Sequence, residues 1–293
     1  MKIAISGATG FVGSAAARCA SERGHKLIRI LRPGSGKQGS EDICADLEDA
    51  DCLSELASRV DAVIHCAASD DPAFLPISQA AIDAFIKGLP PGGRLAMHSG
   101  SVVFGDTGPE AEANPAFSPP PPLKEKTAFD QHVLKPGRTD IYTRVVYGSF
   151  IYGGEGAAIP SVMIRTAMKT GSALFFDQGE QVWSTAHVSD FSTLLVDAVE
   201  SEAPENICLF AAGRAVQLKP VADIIGQVLG VPSRPVCSDE EAGLFGPFAG
   251  PLTMNQHFSS ETTRQLVRWY PELSDEAVSI IRALTRQASR TML

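Results

Sequence analysis

The 293-residue chain is long enough for one large α/β domain, or for such a domain with a smaller lobe attached. Hydrophobic residues make up 44% and charged residues 20%, a balance that supports a substantial core and excludes a disordered chain. A formal net charge of −9 leaves no basic excess for a phosphate backbone, which argues against a nucleic-acid partner and for a small-molecule one.

Short apolar runs alternate with helical patterns through the first half. Lys2–Ser6 reads as a strand and Phe11–Arg23 as a helix with Val12, Ala16, Cys19 and Ala20 on one face, stopped by Gly24. His25–Leu31 and Asp42–Ala45 read as the second and third strands, and Asp61–Cys66 as a buried fourth. Pro76–Lys87 is expected to be a helix, and Arg94–His98 and Thr139–Val146 further strands. Strands alternating with helices need crossover connections, so the predicted fold is α/β, a Rossmann-like doubly wound parallel sheet with a smaller C-terminal substrate lobe. Between the last two strands, Gly105–Pro122 carries Pro109, Pro115 and the run Pro119–Pro122, and reads as a long stiff loop.

After residue 150 the rhythm loosens. Helices are expected at Ile159–Thr170, Val188–Val199 and Lys219–Leu229, a strand at Asn206–Ala211, and a hairpin-like turn at Asp177–Gly179 within Leu174–Trp183. Ser189 or Asp190 is placed to cap the helix that follows His187. Pro232–Pro251 reads as irregular. The expected division is a dinucleotide-binding domain over 1–155 with a returning segment near 185–215, and a substrate-facing lobe over most of 156–293.

The six cysteines form no CxxC pair and read as buried, reduced thiols; neither they nor the histidines cluster as metal ligands, so no metal is expected. The start MKIAISGATG lacks a basic region followed by a long apolar one, and no apolar run approaches the ~18–20 residues of a membrane span. A cytoplasmic protein with no membrane partner is therefore expected. Periodicity alone leaves a homodimer open.

Gly7-Ala8-Thr9-Gly10-Phe11-Val12-Gly13 follows a strand and opens a helix, the context a dinucleotide fingerprint requires. The first glycine permits the tight turn, the second lets backbone N–H groups approach a pyrophosphate, and the third lets helix and strand pack closely. The second strand ends in Arg32, with Lys37 following, where an acid would bind the ribose 2′-hydroxyl of NAD. An arginine there suits the 2′-phosphate of NADP, so NADP is the expected cofactor and NAD the alternative. Gly34-Ser35-Gly36-Lys37 is not a P-loop, because Leu31 stands at its first glycine and Gln38 where Ser or Thr must hold magnesium.

With these residues in hand, the chain resembles the extended or atypical short-chain dehydrogenase/reductase family, in particular its NAD-dependent epimerase/dehydratase-like branch. The likeness rests on GATGFVG (7–13), Asp46-Leu47, HCAAS (65–69), HSGSVVFG (98–105), IYGG (151–154) and VWSTAHVSD (182–190), and spans nearly the whole chain. It implies that Asp46 and Leu47 contact adenine, that Ala67 and Ala68 line the cofactor ribose, and that Gly148–Tyr152, including Ser149, borders the nicotinamide. It makes Asp190 a structural residue.

The family's proton-handling group is a Tyr with a Lys four residues later and a Ser or Thr at the end of the preceding strand. None of Tyr142, Tyr147, Tyr152 and Tyr270 has Lys at +4. Taking Lys126 as the motif lysine places Pro122 at the Tyr position, and taking Lys124 places Pro120 there; the Ser position falls on Gly100, between Ser99 and Ser101. Three readings follow. In the first, chemistry is retained with substitute donors, Ser99 or Ser101 near a carbonyl and Tyr147 or Tyr152 from the next strand end. Alternatively substrate or water supplies the proton. In the third reading the protein binds NADP without turnover, as a redox sensor or regulator. The expected function is an NADP-dependent oxidoreductase of the atypical short-chain type acting on a small carbonyl or hydroxyl substrate, with the regulator and a sugar-nucleotide epimerase or dehydratase as alternatives.

Overall fold

A computed structural model of the chain describes residues 1–34, 42–69, 71, 73–153, 158–203, 206–273, 281 and 285. Lys37 and Gly154, both named above, lie outside the described residues. Going along the chain, the first half runs β1 (Lys2–Ser6), α1 (Phe11–Glu22), β2 (Lys26–Leu31), β3 (Asp42–Cys44), α2 (Ala50–Ala57), β4 (Ala62–His65), α3 (Phe74–Gly88), β5 (Arg94–Gly100), α4 (Lys124–Val133) and β6 (Tyr142–Gly148). The second half runs β7 (Phe150–Tyr152), α5 (Ala158–Thr170), β8 (Ala173–Phe175), β9 (Val182–His187), α6 (Val188–Glu200), β10 (Ile207–Phe210), β11 (Ala215–Gln217), α7 (Leu218–Leu229), β12 (Ser233–Pro235), α8 (Asp239–Gly243) and α9 (Glu261–Val267).

Seven strands form one parallel sheet in the order β10-β6-β5-β4-β1-β2-β3. Such a sheet is covered on both faces, and the side chains alternate accordingly. Ala4, Ile28, Val63, Leu95 and Val145 join one core with Leu53 and Leu56 of α2 and Phe85 of α3. Ile3, Ile5, Ile64, Ala96 and Val146 join the opposite core with α1 and with Phe191, Leu194 and Leu195 of α6. A third core gathers Phe150, Tyr152, Trp183, Met163 of α5 and Ile225 of α7.

The strand order reverses between β1 and β4. In an open parallel sheet the chains leaving two such neighbours diverge to opposite sides, and the crevice between them at the carboxyl ends is where ligands bind. Gly7 leaves β1 at this point, and Ala67 follows β4.

Several expectations need correction. The turn at Asp177–Gly179 is present, with φ of 51° and 70° at its ends, but it does not close a hairpin. β8 pairs in parallel with β12, while β9 pairs with β7 and β11, because the apolar face of β8 packs with α5 and α7. Pro232–Pro251 is not wholly irregular, since it holds β12 and α8. The cap of α6 is His187, whose Nδ1 accepts from Ser189 N–H at 3.2 Å. α2 and α4 are helices not among those expected from the sequence pattern.

The Gly105–Pro122 segment is extended up to a short 3₁₀ turn at Pro121–Leu123. It is fastened to the chain after residue 254: Thr107 N–H donates to Asn255 O, Glu112 bridges to Phe258, and Gln256 Nε2 donates to Gly105 O. Its backbone polar groups thereby find partners that a free loop would seek in water.

Candidate functional site

The Gly7–Gly13 loop is built by three glycines with different tasks. Gly7 has φ of +68°, and a Cβ there would stand 2.5 Å from Ala67 N and 2.6 Å from the Cys66 carbonyl carbon. At Gly13 a Cβ would come within 2.1 Å of Gly7 O. Both positions are closed to any side chain by backbone that cannot move aside. Gly10 differs. Its N–H donates to Gly7 O at 2.9 Å, its own φ of −79° suits any residue, and a Cβ there would meet only Gly7 O at 3.3 Å.

Gly10 is also the N-cap of α1 and brings no side chain to cap the helix, so the first-turn N–H groups keep their capacity for an anion. Thr9 and Gly10 are exposed, Phe11 is half-buried, and Val12 and Gly13 are buried against the sheet. Arg32, just past β2, is exposed and makes no hydrogen bond or ion pair to the described residues. Asp46 is exposed after β3, its carboxylate accepting from Glu48 N–H at 3.1 Å, and Leu47 is half-buried against the α2 core. These residues lie along the carboxyl edge of β1, β2 and β3.

Beneath the loop, His65 ends β4 and holds three elements together. Its Nδ1 lies 2.7 Å from Ser6 Oγ of β1, and its Nε2 lies 2.9 Å from Ser78 Oγ of α3. Burial, with Lys126 and His98 nearby, pushes the ring down to about 4 from 6.5, so it stays neutral.

A cavity of about 350 Å³ is lined in part by Ala67. Its walls come from Ala67 and Ala68 after β4, Leu75 and Ser78 of α3, His98 of β5, and Pro122, Lys126 and Phe129 of the α4 region. The His98 and Phe191 rings meet in a T-shaped contact, centroids 5.0 Å apart. Burial and the Lys126 charge lower His98 too, to about 4.

Lys126 connects this cavity to a buried polar cluster. Its Nζ donates to Ser99 Oγ at 2.7 Å and pairs with Asp130 one turn along α4. Ser99 in turn donates to Asp130 Oδ2 at 2.8 Å, and Tyr147 OH donates to the same oxygen at 3.2 Å. Ser99 and Tyr147 are cross-strand neighbours on β5 and β6, which is why both reach Asp130. Burial, followed by the Asp130 charge, pushes the Tyr147 phenol far above the usual tyrosine range.

The remaining candidates lie elsewhere. Ser101 Oγ stands 2.9 Å from Ser149 Oγ and 2.7 Å from Gln256 Oε1, a second cluster with no hydrogen bond to the first among the described residues. Tyr152 is buried, and its hydroxyl donates to Leu273 O at 3.1 Å. Asp190 accepts from the N–H groups of Glu272 and Leu273, so it anchors the chain beyond α9. Gly100 is exposed, and a Cβ on it would touch nothing within 4 Å.

The structure thus brings Ser99 and Tyr147 together, joins Ser101 to Ser149, and leaves Tyr152 apart. His98 and Asp130 were missed as site residues, and Lys126 entered only as the candidate motif lysine. The i,i+4 spacing of Lys126 and Asp130 was a signal for the ion pair. Among the described residues no three His, Cys, Asp or Glu side chains are grouped to hold a metal ion, and no described helix is long and apolar enough to cross a membrane.

With this geometry established, residues 3–83 match the family model described as NAD dependent epimerase/dehydratase family. An uncharacterized protein of Schizosaccharomyces pombe is 26% identical over 92% of this chain and 95% of its own length. Among solved structures, MoeE5 in complex with UDP-glucuronic acid and NAD superposes with a TM-score of 0.77 at 18% identity, covering 98% of this chain and all of its own. A short-chain dehydrogenase/reductase superfamily protein from Agrobacterium tumefaciens with bound NAD gives 0.74 at 17% identity over 100% of this chain and 99% of its own. The resemblance to the epimerase/dehydratase branch therefore holds in sequence over the first strands and helices and in fold over the whole chain.

Proposed function

We propose that the chain is a nicotinamide-dinucleotide-dependent oxidoreductase of the atypical short-chain type, using NADP in preference to NAD and acting on a small carbonyl or hydroxyl substrate. One observation carries this reading: the Gly7–Gly13 loop and the cavity share a wall. Ala67 packs its backbone closely on Gly7 and is also one of the residues lining the cavity. A dinucleotide held on the loop would lie beside a pocket that already contains polar groups.

The residues present fit such a cofactor. A Cβ would obstruct the loop, the α1 N-terminus has no side-chain cap, and Arg32 is exposed and unengaged by the described residues. The Gly7, Thr9, Gly10, Phe11, Val12 and Gly13 segment would hold the pyrophosphate, Arg32 the 2′-phosphate, Asp46 and Leu47 the adenine, and Ala67 and Ala68 a ribose. Ser149 would border the nicotinamide. When bound, the cofactor supplies hydride-transfer chemistry.

On the protein side, Lys126 is the polar group that reaches the cavity from the Ser99–Asp130–Tyr147 cluster. Its ammonium would polarise a substrate oxygen, while Ser99 and Asp130 fix its position. A non-catalytic, NADP-binding regulator is the second reading. It is favoured by the inward bonding of Ser99, Ser101, Tyr147 and Tyr152, whose hydroxyls all engage protein atoms.

The test is to titrate the purified chain with NADPH and NADH by fluorescence, then follow NADPH oxidation over a panel of aldehydes and ketones. Tight NADPH binding with turnover of at least one neutral carbonyl compound is expected. Binding without turnover, together with a partner released by NADPH, would select the regulator. No binding of either cofactor would overturn both.

A further inference from the structure

The cavity walls divide by chemistry. Phe74, Leu75, Met97, Leu123 and Phe129 make them mainly apolar. The rim carries two exposed carboxylates, Asp71 and Glu125, which also line the cavity. Lys126 is the one cationic side chain among the described lining residues, and its charge is already opposed by Asp130, which is fully buried. His98 also lines the cavity, is partly exposed, and its ring makes no hydrogen bond to described residues.

An anionic ligand entering here would meet the Asp71 and Glu125 charges before reaching an ammonium that is half neutralised. Phosphates and carboxylates are normally met by arginine forks or uncommitted lysines. An uncharged molecule pays no such electrostatic penalty, can bury its apolar surface on the phenylalanine and leucine walls, and can offer one oxygen to Lys126 and His98.

We propose that the cavity selects small, uncharged, mainly apolar carbonyl compounds, with the carbonyl oxygen held by Lys126 and His98, and rejects anionic ones, nucleoside diphosphate sugars included. This rests on the reading that the cavity is the substrate end of a dinucleotide site. It separates the chain by chemistry from MoeE5, which shares its fold and whose structure contains UDP-glucuronic acid.

The test uses the full chain saturated with oxidised NADP, so that binding is read without turnover. Benzaldehyde and 4-carboxybenzaldehyde, which differ by one carboxylate, are titrated in by calorimetry, with UDP-glucose as a third probe. Benzaldehyde should bind, and 4-carboxybenzaldehyde should bind at least about tenfold more weakly, since rim charges a few ångströms away act through a partly desolvated cavity. In Glu125→Lys, a change at an exposed helix position, the gap should shrink to about twofold, and 0.5 M salt should shrink it in the wild type. His98→Ala and Lys126→Gln should weaken benzaldehyde by about tenfold or more, the loss expected when a hydrogen bond to a buried oxygen is removed.

Equal or tighter binding of the carboxylated probe or of UDP-glucose would overturn the inference while leaving the cofactor reading intact. So would failure of benzaldehyde to bind the NADP-loaded chain. Failure to load NADP or NAD at all would instead overturn the reading on which the inference rests.

Discussion

The ammonium of Lys126 lies 2.7 Å from the hydroxyl oxygen of Ser99, and that hydroxyl donates a hydrogen bond to Asp130 Oδ2 at 2.8 Å. A residue at the cavity wall is thus tied to a carboxylate with no solvent exposure. Breaking such a pair from one side leaves the other charge buried and poorly compensated.

Lys126→Met should therefore destabilise the fold by on the order of 3 kcal/mol, tempered by the donors Ser99 and Tyr147 that Asp130 retains. Asp130→Asn should cost less, and the double variant should fall short of the sum by about 1–3 kcal/mol, the coupling expected of contacting residues. Urea unfolding of the four proteins gives the cycle. Strict additivity would show that the pair is not coupled.

The two flanking glycines of the loop should be intolerant of any side chain for reasons of packing alone. Gly7→Ala and Gly13→Ala both drive a methyl group into backbone, at 2.5 Å and 2.1 Å. Each should lower stability by roughly 3 kcal/mol or more, the range reached when an L residue is forced into strained, overpacked backbone. Thermal unfolding without any cofactor checks this, and an unchanged Tm would contradict the geometry.

His65 links stability to pH. Its ring titrates near 4 in the folded chain and near 6.5 when exposed. Above pH 6.5 both states are neutral there and the residue adds no pH dependence. As pH falls from 6.5 towards 4 the unfolded chain takes up a proton that the folded chain refuses, so stability drops by roughly 3 kcal/mol across that window and then levels off. His98 acts in the same direction. Comparing the slope of stability against pH for the wild type and His65→Gln isolates this contribution, whatever the absolute stability of the variant. Parallel slopes would rule it out.

Arg32 should sort the two cofactors. Removing one charge-assisted contact to a phosphate costs about 1.5–3 kcal/mol, so Arg32→Ala should weaken NADPH by roughly 10- to 100-fold and leave NADH within about twofold. Equal losses for both, or none, would remove Arg32 from the site.

The sheet and its loop were readable in the sequence because their signals are local. Continuous apolar runs such as Asp61–Cys66 mark strands buried on both faces, and the glycine spacing after β1 specifies a turn no other residue allows. α4 was not readable for the opposite reason. Its inward positions include Thr127 and Asp130, so the apolar period that identifies a helix is interrupted where the site cluster is built. α2 did carry a signal: Asp49 caps it by accepting from Cys52 N–H, and Leu53 and Leu56 face the core. Pairings such as β8 with β12, some 60 residues apart, depend on tertiary contacts that no local pattern encodes.

The central claim is that the Gly7–Gly13 loop holds a nicotinamide dinucleotide, and Gly10 tests it most directly. It is the one glycine of the three whose φ suits any residue, and a side chain there, meeting backbone only at Gly7 O at 3.3 Å, would stand at the N-cap of α1. Calorimetric titration of NADPH should show saturable one-to-one binding to the wild type and at least about tenfold weaker binding to Gly10→Val with an unchanged circular dichroism spectrum. Undiminished binding to Gly10→Val, or no binding to the wild type, would contradict the account.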